Sequence, residues 1–257
     1  MRILLIRHGD PDYVNDTLTE KGRREAALLA KRAVSMNMGE CYKSPLGRAK
    51  DTAAPCLEVT GKTAEILDWL QEFPAQVDLN KNPELEKAYP DVKKEGGYFL
   101  PRIAWDMVPG YWTEHEAYMD KNTWRETEVA KNSDLVEGYD HVIEEFDRFL
   151  AEHGYVREGA HYRVEKESDE TVTFFCHFGI SCVLLSHLWN VSPFVLWHCL
   201  ALAPTSVTEV VTEEREQGPA YFRGLKVGDI SHLYAGGEEP SFAARFCEIY
   251  SNKEQRH

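Results

Sequence analysis

Two runs, the apolar Ile3 to Ile6 in MRILLIRHG and the β-rich Thr171 to Cys176 in TVTFFCHFG, each lead into a histidine beside or near a glycine. A β-rich run without polar alternation reads as a strand covered on both faces, which calls for helices above and below a sheet of parallel strands. Open sheets of this kind hold ligands beyond the carboxyl ends of their strands. His8 and His177 therefore stand where chemistry is expected. Arg7 precedes the first histidine, and Gly9 after it permits close backbone approach.

The segments between these runs supply the rest of an α/β fold. In LTEKGRREAALLAKRAVSM, Thr19 suits an N-cap, Glu20 suits the first turn, and Leu28, Leu29 and Ala33 form an inward stripe. In SPLGRAKDTAAPCLEVTG, Ser44 and Pro45 read as an N-cap and first-position pair. That puts Arg48 in the first turn of a second helix, where the dipole favours an anion. From about residue 66 to 133 the texture changes to prolines and aromatic residues, including Trp69, Trp105, Trp112 and Trp124, without a clean period. This stretch reads as an irregular or mostly helical cap. DLVEGYDHVIEEFDRFLAEHG then has helical spacing ending at Gly154, and YVREGAHYRVEKESDE reads as a polar hairpin or loop. ISCVLLSHLWNV and SPFVLWHCLALAP read as apolar helices, TSVTEVVTEE and YFRGLKVGDISHL as strands, and SNKEQRH as a frayed tail. The expected fold class is α/β, a three-layer α/β/α sandwich with a mostly parallel central sheet. The whole of 1–257 is expected to form one domain, with an inserted, aromatic-rich cap at about 66–133 over the strand ends.

A formal net charge of −14 argues against nucleic acid or an anionic membrane as partner, because both are bound chiefly through Lys and Arg. No apolar run is long enough to span a bilayer, and MRILLIRHGDP turns charged too soon for a signal peptide. Cys41, Cys56, Cys176, Cys182, Cys199 and Cys247 are scattered without a CxxC pair, which points to reduced thiols and a cytoplasmic location. The ten histidines include no pair at the spacing that sets two metal ligands on one helix face, so neither a metal nor a cofactor is expected.

Arg7, His8, Arg48 and His177 together offer two guanidinium forks and two imidazoles in an otherwise acidic protein. Guanidinium groups match phosphate oxygens, and a neutral imidazole is nucleophilic near pH 7. The set suggests phosphoryl transfer to a histidine. Other chemistries lack their motifs: GISCV around Ser181 is not GxSxG, six residues separate Cys41 from Arg48 where a cysteine phosphatase has five, and no nucleotide-binding glycine loop is present.

RHG at Arg7 to Gly9, LTEKG at Leu18 to Gly22, SPLGRAKDTA at Ser44 to Ala53 and CHFG at Cys176 to Gly179 resemble, in order, the motifs of the histidine phosphatase superfamily, which includes cofactor-dependent phosphoglycerate mutases. The resemblance implies that His8 is the phosphorylated nucleophile and that Arg7, Arg48 and His177 bind phosphate. It also implies a general acid after the second helix, for which Glu72 in LDWLQEFP is the leading candidate and Asp68 the competitor. Val14 stands where many members carry an asparagine, with Asn15 beside it, and HFG replaces a more usual HGG. Asn15, Arg102, Trp105 and Phe178 are candidate substrate-pocket residues. The implied activity is hydrolysis of a small phosphomonoester, with mutase-type transfer or non-catalytic binding of a phosphorylated ligand as alternatives. A homodimer is among the assemblies open to such a chain.

Overall fold

The computed structural model describes residues 1–242 and 249–252; Cys247 and the last five residues of the expected tail lie outside the described residues. The chain divides into two compact units. The first comprises Met1–Glu72, Leu150–Ser181 and Ala201–His257, and the second Phe73–Phe149 and Cys182–Leu200. Ile66 to Glu72, at the start of the expected cap, thus belongs with the sheet.

The first unit is built on an eight-stranded mixed sheet. Its strands in chain order are β1 (Arg2–Arg7), β2 (Glu40–Lys43), β3 (Ala64–Ile66), β4 (Tyr155–Glu158), β5 (His161–Val164), β6 (Thr171–Cys176), β7 (Val207–Glu213) and β8 (Pro219–Asp229). Across the sheet they lie in the order β4-β5-β8-β7-β1-β6-β2-β3. The two runs are neighbours: β1 pairs with β6 in parallel from Arg2↔Thr171 to Arg7↔Cys176. Parallel pairing continues through β2 and β3. The parallel character is confined to this half, since β7, β8, β5 and β4 pair antiparallel. The reason is local: β4 and β5 are joined by a two-residue turn at Gly159, in the left-handed region at φ 62°, and β7 and β8 by a short loop, neither long enough for a crossover.

Helices α1 (Glu20–Ala33) and α2 (Gly47–Thr60) cover one face of the parallel half. Leu29, Ala30 and Ala33 of α1 and Ala53 and Cys56 of α2 join Leu4, Ile6, Cys41 and Phe175 in one buried cluster. Strand alternation turns Ile3, Leu5 and Arg7 to the opposite face. Thr19 caps α1, accepting from Gly22 N–H at 3.0 Å. The cap expected at Ser44 is absent. Helix α2 begins at Gly47, with Leu46 in the cap position and no side-chain bond from it, because Ser44 Oγ instead accepts from Leu46 N–H and meets His177.

The second unit contains most of helix α3 (Leu135–Glu152), the later part of α4 (Phe178–Trp189), α5 (Pro193–Cys199) and several short turns. Its aromatic residues form a core of their own. Phe73 stacks on Trp197 at 5.6 Å, Trp105 lies 5.5 Å from Trp197, and the Trp124 and Tyr118 edges meet Tyr139 and Phe194. Among the described residues, no helix is long and apolar enough to cross a membrane.

The glycines of the RHG and LTEKG segments are explained by a backbone crossing in the first unit. A Cβ on Gly22 would stand 2.3 Å from the Asp10 carbonyl oxygen, and one on Gly9 would stand 2.8 Å from the Gly22 carbonyl oxygen. Backbone on both sides cannot yield as a flexible side chain can. Gly22→Ala is therefore expected to destabilise the protein by about 2 kcal/mol or more, lowering the melting temperature by at least about 4 °C. Gly110→Ala, where a Cβ meets nothing within 4 Å, should shift it by no more than about 1 °C in the same calorimetric scan.

Candidate functional site

Three adjacent parallel strands end side by side in the first unit. The Arg7↔Cys176 register brings His8 and His177 out together, and His8 N–H donates to the Cys176 carbonyl at 3.0 Å. On the other side of β6, Ser44 N–H donates to the Phe175 carbonyl at 2.9 Å, so Ser44 follows β2 out beside His177. The two imidazole centroids are 5.0 Å apart.

His8 is held in one tautomer. Its Nδ1 lies 2.7 Å from the Gly9 carbonyl, an oxygen that can only accept, so the ring proton is on Nδ1 and Nε2 carries the lone pair. Behind it, Gly9 N–H donates to Thr52 Oγ1 at 2.9 Å, and Thr52 donates to the Arg48 carbonyl at 2.8 Å. Thr205 clamps the strand end from the opposite direction. Its backbone N–H lies 3.1 Å from both the Arg7 and His8 carbonyls, in a left-handed conformation at φ 59°. Its hydroxyl donates to the Pro204 carbonyl and accepts from His232 Nε2 at 3.0 Å.

The cations converge on the same end of the sheet. Arg7 is fully buried, its Nη1 donating to the Leu202 carbonyl. Arg48, in the first turn of α2, is also buried, with Nη1 2.7 Å from Asp16 Oδ1. Asp16 Oδ2 accepts from Gly47 N–H at 2.6 Å and so supplies the helix cap that Ser44 does not. Two buried nitrogens, Arg48 Nε and His177 Nδ1, have no hydrogen-bond partner among the described residues. Buried polar atoms are ordinarily satisfied, which makes these two nitrogens candidates for holding an anion.

Burial lowers the His8 pKa well below the ordinary imidazole value, and the Arg7 charge, His177 and Arg48 lower it further. Burial followed by the Arg48 and Arg7 charges does the same to His177. Both rings are neutral at pH 7. His177 Nε2 lies 2.7 Å from Ser44 Oγ; with the Ser44 hydroxyl as donor, His177 carries its proton on Nδ1, the orphan nitrogen.

Glu72 is half-buried, and its Oε1 accepts from Ile180 N–H at 3.2 Å, at the start of α4 just after His177. Its charge also acts on Arg7. Asp68 is exposed. Phe178 opens α4 and is buried. Asn15 is exposed, its amide donating to Asp12 Oδ2 at 2.7 Å. Arg102 and Trp105 belong to the second unit, where Arg102 faces Asp106 at 3.4 Å and Trp105 packs on Trp197. The fold thus brings Arg7, His8, Arg48, His177 and Glu72 into one unit. It adds Asp16, Ser44, Thr52 and Thr205, which no sequence period marks. A hint lay in Gly47, where a Cβ would stand 2.0 Å from the Asp16 carbonyl oxygen.

Residues 3–98 match the model of the histidine phosphatase superfamily (branch 1), a span that contains Arg7, His8, Arg48 and Glu72. Over that span the chain is similar to the histidine phosphatase superfamily. A probable phosphatase of Schizosaccharomyces pombe is 24% identical over 247 residues, covering 91% of this chain and 95% of that one. Among solved structures, phosphoserine phosphatase of Entamoeba histolytica in complex with phosphoserine superposes with a TM-score of 0.56 at 15% identity, over 90% of this chain and 98% of that one. A mycobacterial glucosyl-3-phosphoglycerate phosphatase superposes with a TM-score of 0.51 at 19% identity, over 88% and 98%. The α/β fold is shared with both.

The clamp behind His8 carries a pH signature. Burial, with the Arg32 charge, lowers His232 to about 4. The folded state therefore binds fewer protons than the unfolded state below the ordinary imidazole value of about 6.5, and stability falls as pH falls through that window. Urea unfolding at pH 7 and pH 5 should show a loss of about 1–2 kcal/mol from His232 alone. His232→Gln should remove that part of the slope and leave the part due to His8 and His177.

Proposed function

We propose that this chain is a metal-independent phosphatase that hydrolyses a small phosphomonoester through a phosphohistidine at His8. The observation that carries the reading is the His8 ring itself: Nδ1–H is committed to the Gly9 carbonyl, and a neutral Nε2 remains as nucleophile beside two buried guanidinium groups. In the first step, Nε2 attacks phosphorus and the ester P–O bond breaks. Arg7, Arg48 and His177 Nδ1–H donate to the oxygens of the transferring group as charge spreads over them. Glu72, protonated, gives its proton to the leaving oxygen, and the alcohol departs. In the second step, water attacks phosphorus, Glu72 takes its proton, the P–N bond breaks, and inorganic phosphate leaves with His8 neutral again. The probable phosphatase of S. pombe supports hydrolysis as the outcome. Cys41, Cys56 and Cys176 are buried free thiols, in keeping with a cytoplasmic enzyme.

Aryl phosphate hydrolysis in EDTA tests the reading. His8→Ala should lower kcat by about a thousandfold or more, and an acid-labile, base-stable phosphoprotein should form with wild type alone. Equal activity in the two proteins overturns the nucleophile. Isomerised phosphoglycerate without released phosphate would make the enzyme a mutase. Glu72→Gln should slow alkyl esters by about a hundredfold or more while sparing nitrophenyl phosphate, whose leaving group needs no proton. Equal slowing of both overturns the acid role.

A further inference from the structure

The anion that meets Arg48 in this fold belongs to the chain itself. Asp16 sits in the left-handed region at φ 48°, with Oδ1 2.7 Å from Arg48 Nη1 and Oδ2 accepting from Gly47 N–H at 2.6 Å. Burial alone would raise the Asp16 carboxyl; the Gly47 N–H and Arg48 outweigh it and hold the group below the usual carboxylate range. Its backbone is wedged against Gly47, where a Cβ would lie 2.0 Å from the Asp16 carbonyl oxygen. The N-terminus of α2, expected from sequence to receive a phosphate, is thus occupied by a resident carboxylate.

That occupancy leaves an incoming phosphate the buried orphan atoms Arg48 Nε and His177 Nδ1. The surrounding loop adds no cation. Residues 10–16, DPDYVND, hold three aspartates and no Lys or Arg. Asp10 bonds Thr19 Oγ1 at 2.6 Å and also Ser241, and Asp12 bonds the amides of Val14 and Asn15, so Asp16 is the loop carboxylate set on the Arg48 cation. Tyr13 lies against the same group, its ring 5.4 Å from Arg48 Cζ, and its phenol acts electrostatically on Arg7. The Arg48 guanidinium therefore faces the Asp16 carboxylate before any substrate arrives.

We propose that Asp16 sets the substrate class: the site takes phosphomonoesters whose alcohol carries no second anionic group and discriminates against phosphorylated acids. The inference rests on the phosphatase reading of His8. A second substrate anion near the phosphate meets the Asp16 charge, which is already set on Arg48.

Glycerol 3-phosphate and 3-phosphoglycerate test this cleanly, because they share an alkyl leaving group and differ by one carboxylate. On the full chain, wild type should show the higher kcat/KM for glycerol 3-phosphate, and added salt should narrow the gap. In Asp16→Asn, which keeps an acceptor for Gly47 N–H and tolerates the left-handed backbone, the ratio should fall by about five- to tenfold, the effect of one unit charge at several ångströms in partly hydrated surroundings. Asp16→Ser should move the ratio in the same direction. A merely structural role for Asp16 would lower both substrates together; an unchanged ratio in both folded variants, or a wild type that prefers 3-phosphoglycerate, overturns the proposal. If His8-dependent hydrolysis persists with the ratio unmoved, only the role of Asp16 falls. If wild type hydrolyses neither ester and forms no phosphoenzyme, the phosphatase reading falls and this inference with it.

Discussion

The parallel pairing of β1 with β6 is the constraint on which the site depends. Its register, Arg7 against Cys176, brings two imidazoles to the same level at the end of the sheet. A slip of one residue would turn every side chain of β1 to the other face, burying Arg7 against α1 and α2 and pulling His8 away from His177. The backbone around the junction is correspondingly over-determined. Gly9 and Gly22 let two segments touch, Thr52 receives Gly9 N–H, and Thr205 accepts a strained backbone to hold the Arg7 and His8 carbonyls. Strain of this kind persists where surrounding bonds enforce it, and here they converge behind one imidazole.

That precision acts electrostatically. Burying His8 and His177 beside two guanidinium groups keeps both rings neutral, which suits a nucleophile and a hydrogen-bond donor better than a pair of cations would. In a chain with net charge −14, cations are focused at one strand end and the carboxylates beside them are assigned to partners. Asp16 orients Arg48, Glu72 caps the first turn of α4, and the buried Glu25 receives the amides of Asp10 and Ser241.

Much of this was legible in the chain. The runs leading into His8 and His177, the Thr19 cap and the inward stripe of α1 are local patterns, and each reads the same way in three dimensions. The order of RHG, LTEKG, SPLGRAKDTA and CHFG was enough to point to the family. Ser44 and Asp16 were not readable in the same way. Ser44 before Pro45 has the local form of an N-cap, yet its hydroxyl is drawn to His177, 133 residues away in sequence, and Asp16 caps the helix from a separate loop. A side-chain hydrogen bond formed across the fold outweighs a local preference of about 1 kcal/mol.

By itself the sequence determined the α/β class, the identity of the cations and imidazoles, and the segments that carry them, because hydrophobic period and strand-end glycines are local properties of the chain. Only the tertiary structure decided which His8 nitrogen is available, which buried atoms of Arg48 and His177 lack partners, and that the anion at the start of α2 is Asp16. Those are outcomes of register and of competition for hydrogen bonds between segments far apart in sequence, and no window of residues contains both competitors.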